Sequence, residues 1–200
     1  VCSEEDVKRA LDLTKENFGK LNVVVNCAGI FRLGKIYDSE NNQPHPLNSW
    51  IDVMNVNLFG TFNVMRLAID LMKDNQPDDD NQRGVIINLS SVAGYNVPIE
   101  GLAYGISKAG VIAMTEPVAK SVGHLGIRIN TIAPGPIDTP MTTGGPPATS
   151  NHFQQLLRDS LLNVKRLGRT DEVSHLVKCI IENHFINAEV IRIDAGYCPF

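Results

Sequence analysis

No Cys-x-x-Cys pair occurs among the four cysteines at positions 2, 27, 179 and 198. Neither a zinc knuckle nor a small disulfide framework is indicated, and a reducing compartment suits the chain. The five histidines (His45, His124, His152, His175, His184) show no His-x3-His or His-Glu-x-x-His spacing, so no metal is expected. Positive charge is not in excess: 18 Lys plus Arg stand against 22 Asp plus Glu, a formal net charge of −4, and no basic run exceeds two residues. That removes the electrostatic footprint of a direct nucleic-acid or anionic-membrane binder. No apolar run reaches the ~18 residues of a membrane span. The opening Val1-Cys2-Ser3-Glu4-Glu5-Asp6 is acidic where a targeting peptide is basic. Glycine and proline, 16 and 11 of 200 residues, are too few for a collagen-like or low-complexity chain. With 43% hydrophobic residues, the expectation is one packed globular domain over residues 1–200.

Periodicity orders that domain. Ser3 followed by Asp6 reads as a capping box, and Val7, Ala10, Leu11, Thr14 and Phe18 recur at helical spacing until Gly19. Residues 21–25 are an unbroken apolar run rich in valine, which suits a strand buried on both faces, and it ends in the loop Asn26-Cys27-Ala28-Gly29. Residues 31–48 are polar and contain prolines. Ile51, Met54, Leu58, Phe62, Met65, Ile69 and Met72 then step by three and four through a long helix. After a solvated turn over 75–83 come a strand at 85–89, a helix at 102–125 and a strand at 127–133. Helices over 151–163 and 171–183 and a last strand at 189–193 close the chain. Strands alternating with helices of crossover length predict an α/β fold with a doubly wound parallel sheet.

Tyr104 and Lys108 stand four residues apart within a helix, which puts both side chains on one face. Chance supplies roughly 0.2 such pairs in a chain of this composition, so the pair alone is a weak signal. Ser91, 13 residues before Tyr104 at the mouth of a buried strand, lowers the chance expectation to roughly 0.01. Singly, each residue suits a bland reading: an exposed helix lysine, a core-edge aromatic, a loop-capping serine. The joint spacing favours a site.

Five motifs now stand in order: Asn26-Cys27-Ala28-Gly29, the Asn57 of Val56-Asn57-Leu58, Ser91, Tyr104-Gly105-Ile106-Ser107-Lys108 and Pro134-Gly135. Together they resemble the short-chain dehydrogenase/reductase family, across essentially the whole chain. The resemblance implies a Rossmann-like fold and transfer of a hydride between NAD and a secondary alcohol or ketone, with a 3-hydroxyacyl-CoA or a hydroxysteroid as substrate. Free tyrosine, with a pKa of about 10, is a poor proton donor-acceptor near neutrality. A Lys108 ammonium nearby is expected to favour its phenolate, making Tyr104 the acid/base group. Ser91 can donate a hydrogen bond to the substrate oxygen as charge develops there. By resemblance, Lys108 also contacts the nicotinamide ribose, and Asn57 joins a water-linked proton relay. Spacing alone leaves Asn57 as a buried polar residue bonding helix backbone.

Resemblance further assigns cofactor contacts to Asn26, Cys27, Ala28 and Gly29, to Tyr104 and Lys108, and to Pro134, Gly135, Ile137 and Thr139. Val1 stands where the family contacts adenine. Small residues at 26–29 also suit a plain tight turn, and Thr139 a helix cap. No Gly-x3-Gly-x-Gly or Gly-x-Gly-x-x-Gly run is present to cradle a pyrophosphate. The expectation is therefore an amino-terminally incomplete member whose sheet lacks its first strands. An alternative follows from the same resemblance: a non-catalytic scaffold subunit of a mitochondrial transfer-RNA processing complex, or an inactive truncated member. A mitochondrial location is likewise implied by resemblance. Apolar residues on more than one face of the helices at 54–72 and 102–125 predict a homo-oligomer, by resemblance a tetramer. Residues 141–150, with two glycines and two prolines, are expected to form a flexible flap over the pocket.

Overall fold

The computed structural model describes residues 1–143, Gln155 and 158–197. Residues 144–150 of the expected flap, and 151–154, 156 and 157 of the expected helix at 151–163, lie outside those residues. The first helix, α1 (Glu4–Phe18), starts where the Ser3 hydroxyl accepts from the Asp6 N–H at 3.1 Å. The reciprocal half of the capping box is not made, because the Asp6 carboxylate pairs with Arg9 instead. Gly19 ends the helix in the left-handed region at φ 78°, its N–H on the Lys15 carbonyl.

Strand β1 (Val23–Asn26) is followed by a small antiparallel hairpin, β2 (Tyr37–Asp38) and β3 (Gln43–Pro44), where the sequence predicted only a polar loop. A long helical rod comes next. It runs through α2 (Leu47–Met54), a single π-helical stretch at Asn55–Phe59, and α3 (Gly60–Met72). Then come β4 (Gly84–Leu89), α4 (Leu102–Val122), β5 (Ile127–Pro134), the short α5 (Pro140–Thr143), α6 (Thr170–Glu182) and β6 (Val190–Ile193).

The central sheet is all parallel, in the order β1-β4-β5-β6, with Val24 opposite Ile86, Ile86 opposite Ile129 and Ile132 opposite Ile191. Helices cover both faces. On one, Met65, Ala68 and Met72 of α3 and Ala119 and Val122 of α4 pack on Ile86, Ile127 and Ile129. On the other, Ile180 of α6 packs on Val85, Ile87 and Ile132. The predicted doubly wound parallel α/β sheet is the fold observed. β4 and β5 are buried on both faces, as their continuous apolar runs require, whereas the valines of β1 are only half-buried at the sheet's edge. Buried Arg128 of β5 fastens α6 by donating to the carbonyls of Ile180, Ile181 and Ile186, satisfying acceptors at the helix's C-terminal end. Parallel strands place their carboxyl ends along one rim, where Asn26, Leu89 and Pro134 all terminate. Open α/β sheets bind ligands at that rim.

Candidate active site

β4 delivers the first side chain. Ser90 still pairs with the sheet through its N–H to the Ile132 carbonyl. Ser91 then caps a 3₁₀ turn at Val92–Gly94, its hydroxyl accepting from the Ala93 N–H at 3.1 Å. That turn lies directly on α4. A Cβ at Gly94 would fall 2.9 Å from the Ala109 nitrogen, and one at Gly105 would fall 2.9 Å from the Ala93 carbonyl. Two residues without a side chain thus bring the strand end against the first turns of the helix. Ser90 adds a tie by donating to the Lys108 carbonyl at 2.8 Å. Ser91, Tyr104 and Lys108 meet in consequence: the Ser91 hydroxyl is near enough to the Tyr104 phenol to lower its pKa, and the Lys108 ammonium sits 5.7 Å from the centre of the Tyr104 ring.

Both titrating groups have lost water. Lys108 is 5% exposed and donates one hydrogen to the Leu89 carbonyl at 2.8 Å. Burial holds its pKa down at about 8, with the Cys27 thiol opposing weakly. Tyr104 is shifted the other way: burial raises its pKa above the ordinary value, against a lowering by the Ser91 hydroxyl. This corrects the sequence-based expectation that Lys108 draws the tyrosine down. Desolvation disfavours the phenolate and the ammonium alike, and it is the leading cause at both groups.

Asn57 occupies the π-helical stretch and is fully buried. Its amide clamps the loop after β1, with Oδ1 accepting from the Ile30 N–H at 2.8 Å and Nδ2 donating to the Ile30 carbonyl at 2.9 Å. Nδ2 also donates to Ser107 Oγ at 3.0 Å, and Ser107 in turn donates to the Tyr104 carbonyl at 2.7 Å. With the side chain so engaged, the group Asn57 has left for a relay is its backbone carbonyl, which accepts from the Thr61 hydroxyl. Ser107 escaped the reading of the sequence. Its signal is the offset of three from Tyr104, at which a helical serine reaches back to a carbonyl.

The remaining candidates surround this cluster unevenly. Asn26 turns its side chain to Asn88 of β4 at 2.8 Å, a buried bond within the sheet. Cys27 and Ala28 are exposed at the strand end, and burial on one side pushes the Cys27 thiol up. A Cβ at Gly29 would stand 3.5 Å from both the Asn57 Oδ1 and the Lys108 Nζ. Gly135 is anchored by its N–H to the Ile193 carbonyl, Ile137 bridges to Gly168, and the Thr139 carbonyl caps α5. Val1 lies farther along the rod, packed on Gly60, with its carbonyl accepting from Asn63. A nicotinamide cofactor fits the donor set at the rim: Lys108 keeps two ammonium hydrogens without an acceptor among the described residues, facing the small-residue loop of Cys27, Ala28 and Gly29.

Comparison with known proteins places this geometry. Residues 1–198 match the family described as Enoyl-(Acyl carrier protein) reductase. The 3-hydroxyacyl-CoA dehydrogenase type-2 of Bos taurus is 46% identical over 196 residues, 98% of this chain and 74% of that enzyme. The chain belongs to the short-chain dehydrogenase/reductase family. Ipsdienol dehydrogenase of Ips pini is 39% identical over 100% of this chain and 78% of its own length. The crystal structure of 3-hydroxyacyl-CoA dehydrogenase type-2 from Mycobacterium avium superimposes with a TM-score of 0.90 at 29% identity, covering 100% of this chain and 75% of that one. This short-chain dehydrogenase/reductase is thus an oxidoreductase of a family that works with nicotinamide dinucleotides.

Proposed function

We propose that the protein oxidises a 3-hydroxyacyl-CoA to the 3-ketoacyl-CoA, and reduces it in reverse, using NAD(H). The observation that carries the reading is the meeting of Ser91, Tyr104 and Lys108 at the carboxyl ends of the strands. Identity of 46% to the type-2 dehydrogenases supports the acyl-CoA substrate over other secondary alcohols. When bound, the nicotinamide supplies the two-electron acceptor or donor. Lys108 would hold its ribose, with Cys27, Ala28, Gly29, Pro134, Gly135, Ile137 and Thr139 around it and Val1 toward the adenine.

In oxidation, Ser91 donates to the substrate oxygen while the Tyr104 phenolate takes the hydroxyl proton. That proton passes by way of Lys108 to a water held on the Asn57 backbone carbonyl, and from that water to solvent. In reduction, the phenol gives the proton back. Because burial keeps Tyr104 a phenol at neutral pH, the proton-donating form predominates there, and oxidation should rise with pH. We further infer a closed homo-oligomer, a tetramer, that covers the exposed rings of Phe59 and Phe62 on the rod. Fluorescence titration of the full-length protein with NADH, followed by turnover of a 3-hydroxyacyl-CoA, tests the reading. Saturable binding with turnover is expected. A folded protein that binds no NADH would instead be the scaffold.

A further inference from the structure

Phe31 belongs to none of the motifs above, yet its ring meets Tyr104 edge to face, with centroids 5.2 Å and planes 84° apart. It is half-buried, and its Cε2 edge lies over the start of α4, where a Cβ added at Gly101 would stand 3.4 Å away. The loop carrying it is held. Asn57 clamps both the N–H and the carbonyl of Ile30, the residue immediately before. The same amide reaches Tyr104 through Ser107. One buried side chain therefore positions the tyrosine by two routes, the helix backbone and the Phe31 ring. A hydrogen bond to the Tyr104 carbonyl fixes its backbone, but the phenol can still rotate about its two side-chain torsions. A perpendicular aromatic neighbour restricts that rotation and excludes water from one side of the ring.

We propose that Phe31 is a positioning residue for Tyr104, holding the phenol toward Ser91 and sealing that side of the reacting pocket. The inference rests on the reading of Tyr104 as the acid/base group. Since burial is the leading cause of the raised Tyr104 pKa, opening this side to water lowers it again.

The test compares kcat, the KM for NAD and the pH-rate profile of alcohol oxidation in the full-length protein and its Phe31→Leu, Phe31→Tyr and Tyr104→Phe variants. Phe31→Leu is expected to lose about tenfold in kcat, to keep the parental KM for NAD, and to move the acid limb of its profile to lower pH. Phe31→Tyr, which keeps the ring, restores kcat and the limb. A Phe31→Leu protein with parental kcat and an unmoved acid limb, whatever its thermal midpoint, overturns the proposal and leaves Phe31 as packing. Should Phe31→Leu fail to fold, Phe31→Met carries the same comparison. Near-parental activity in Tyr104→Phe would overturn the acid/base reading itself. Loss there beside an unaltered Phe31→Leu overturns this inference alone.

Discussion

Tyr104 and Lys108 lose water to the same pocket, and each is driven toward its neutral form. Removing the Tyr104 hydroxyl while keeping its ring should cost about a thousandfold in kcat/KM. Its edge-to-face contact with Phe31 and the NADH affinity should survive. Steady-state kinetics of Tyr104→Phe, with a thermal melt, check this, and activity within tenfold of the parent would exclude the role. Lys108 makes a stability prediction with the opposite sign to its functional one. Its folded pKa of about 8 lies below the unfolded value of about 10.4, so the unfolded chain binds more protons in between and stability rises with pH across that window. Lys108→Met should therefore be more stable than the parent at pH 7, by up to about 3 kcal/mol, and should lack the alkaline rise. It should also lose turnover. Denaturant titrations of the unliganded proteins at several pH values decide it.

At the scale of elements, the π-helical stretch at Asn55–Phe59 is the feature that the apolar spacing of the rod conceals. A regular repeat of three and four predicts an unbroken α-helix, and one widened turn hardly disturbs that count. The structure spends it on a fully buried amide making three hydrogen bonds. Asn57→Ala should destabilise by about 3 kcal/mol, at roughly one per bond lost, and should loosen the Ile30 loop together with Tyr104. Urea unfolding measures the first effect and amide exchange the second. The entry to α6 is held differently. Glu172 accepts two bonds from Arg166, at 2.7 and 3.0 Å, and one from the Arg169 N–H. The Arg166 bonds, then the Arg169 N–H, hold its carboxyl down at about 2. Stability from a depressed carboxylate is complete above the unfolded value of about 4.3 and is lost as pH falls through the folded one. Glu172→Gln should accordingly melt below the parent at pH 7, with the gap closing as pH falls from about 4.3 toward 2. A constant gap would mean that the carboxylate charge contributes nothing.

For the whole molecule, the rod exposes Phe59 at 57% and Phe62 at 49%, with Ile51 and Leu47 also outside the core. Large apolar side chains grouped on one element mark an interaction surface more often than isolated ones do. The parent should sediment as an oligomer at micromolar concentration, and Phe62→Glu should sediment as a smaller species with its fold intact by circular dichroism. A parent that sediments as a monomer would remove the homo-oligomer from the proposed function.

The alternation of central strands and long helices, the parallel sheet and the clustering of Ser91, Tyr104 and Lys108 were legible in the sequence, whereas the β2–β3 hairpin was not. Each depends on short-range periodicity: valine-rich runs, steps of three and four, an offset of four on one helix face. The sequence also predicted which loops end at the rim, since small residues after a buried strand mark it. Three things depended on groups far apart in the chain. Asn57 finds Ile30 27 positions away and Ser107 50 positions away. Phe31 finds Tyr104 73 positions away. The sign of the Tyr104 shift turned on how much water the packed helices exclude, and no spacing records that. Periodicity reports which face of an element is buried. What that face meets, and how dry the meeting place is, only the tertiary structure decides.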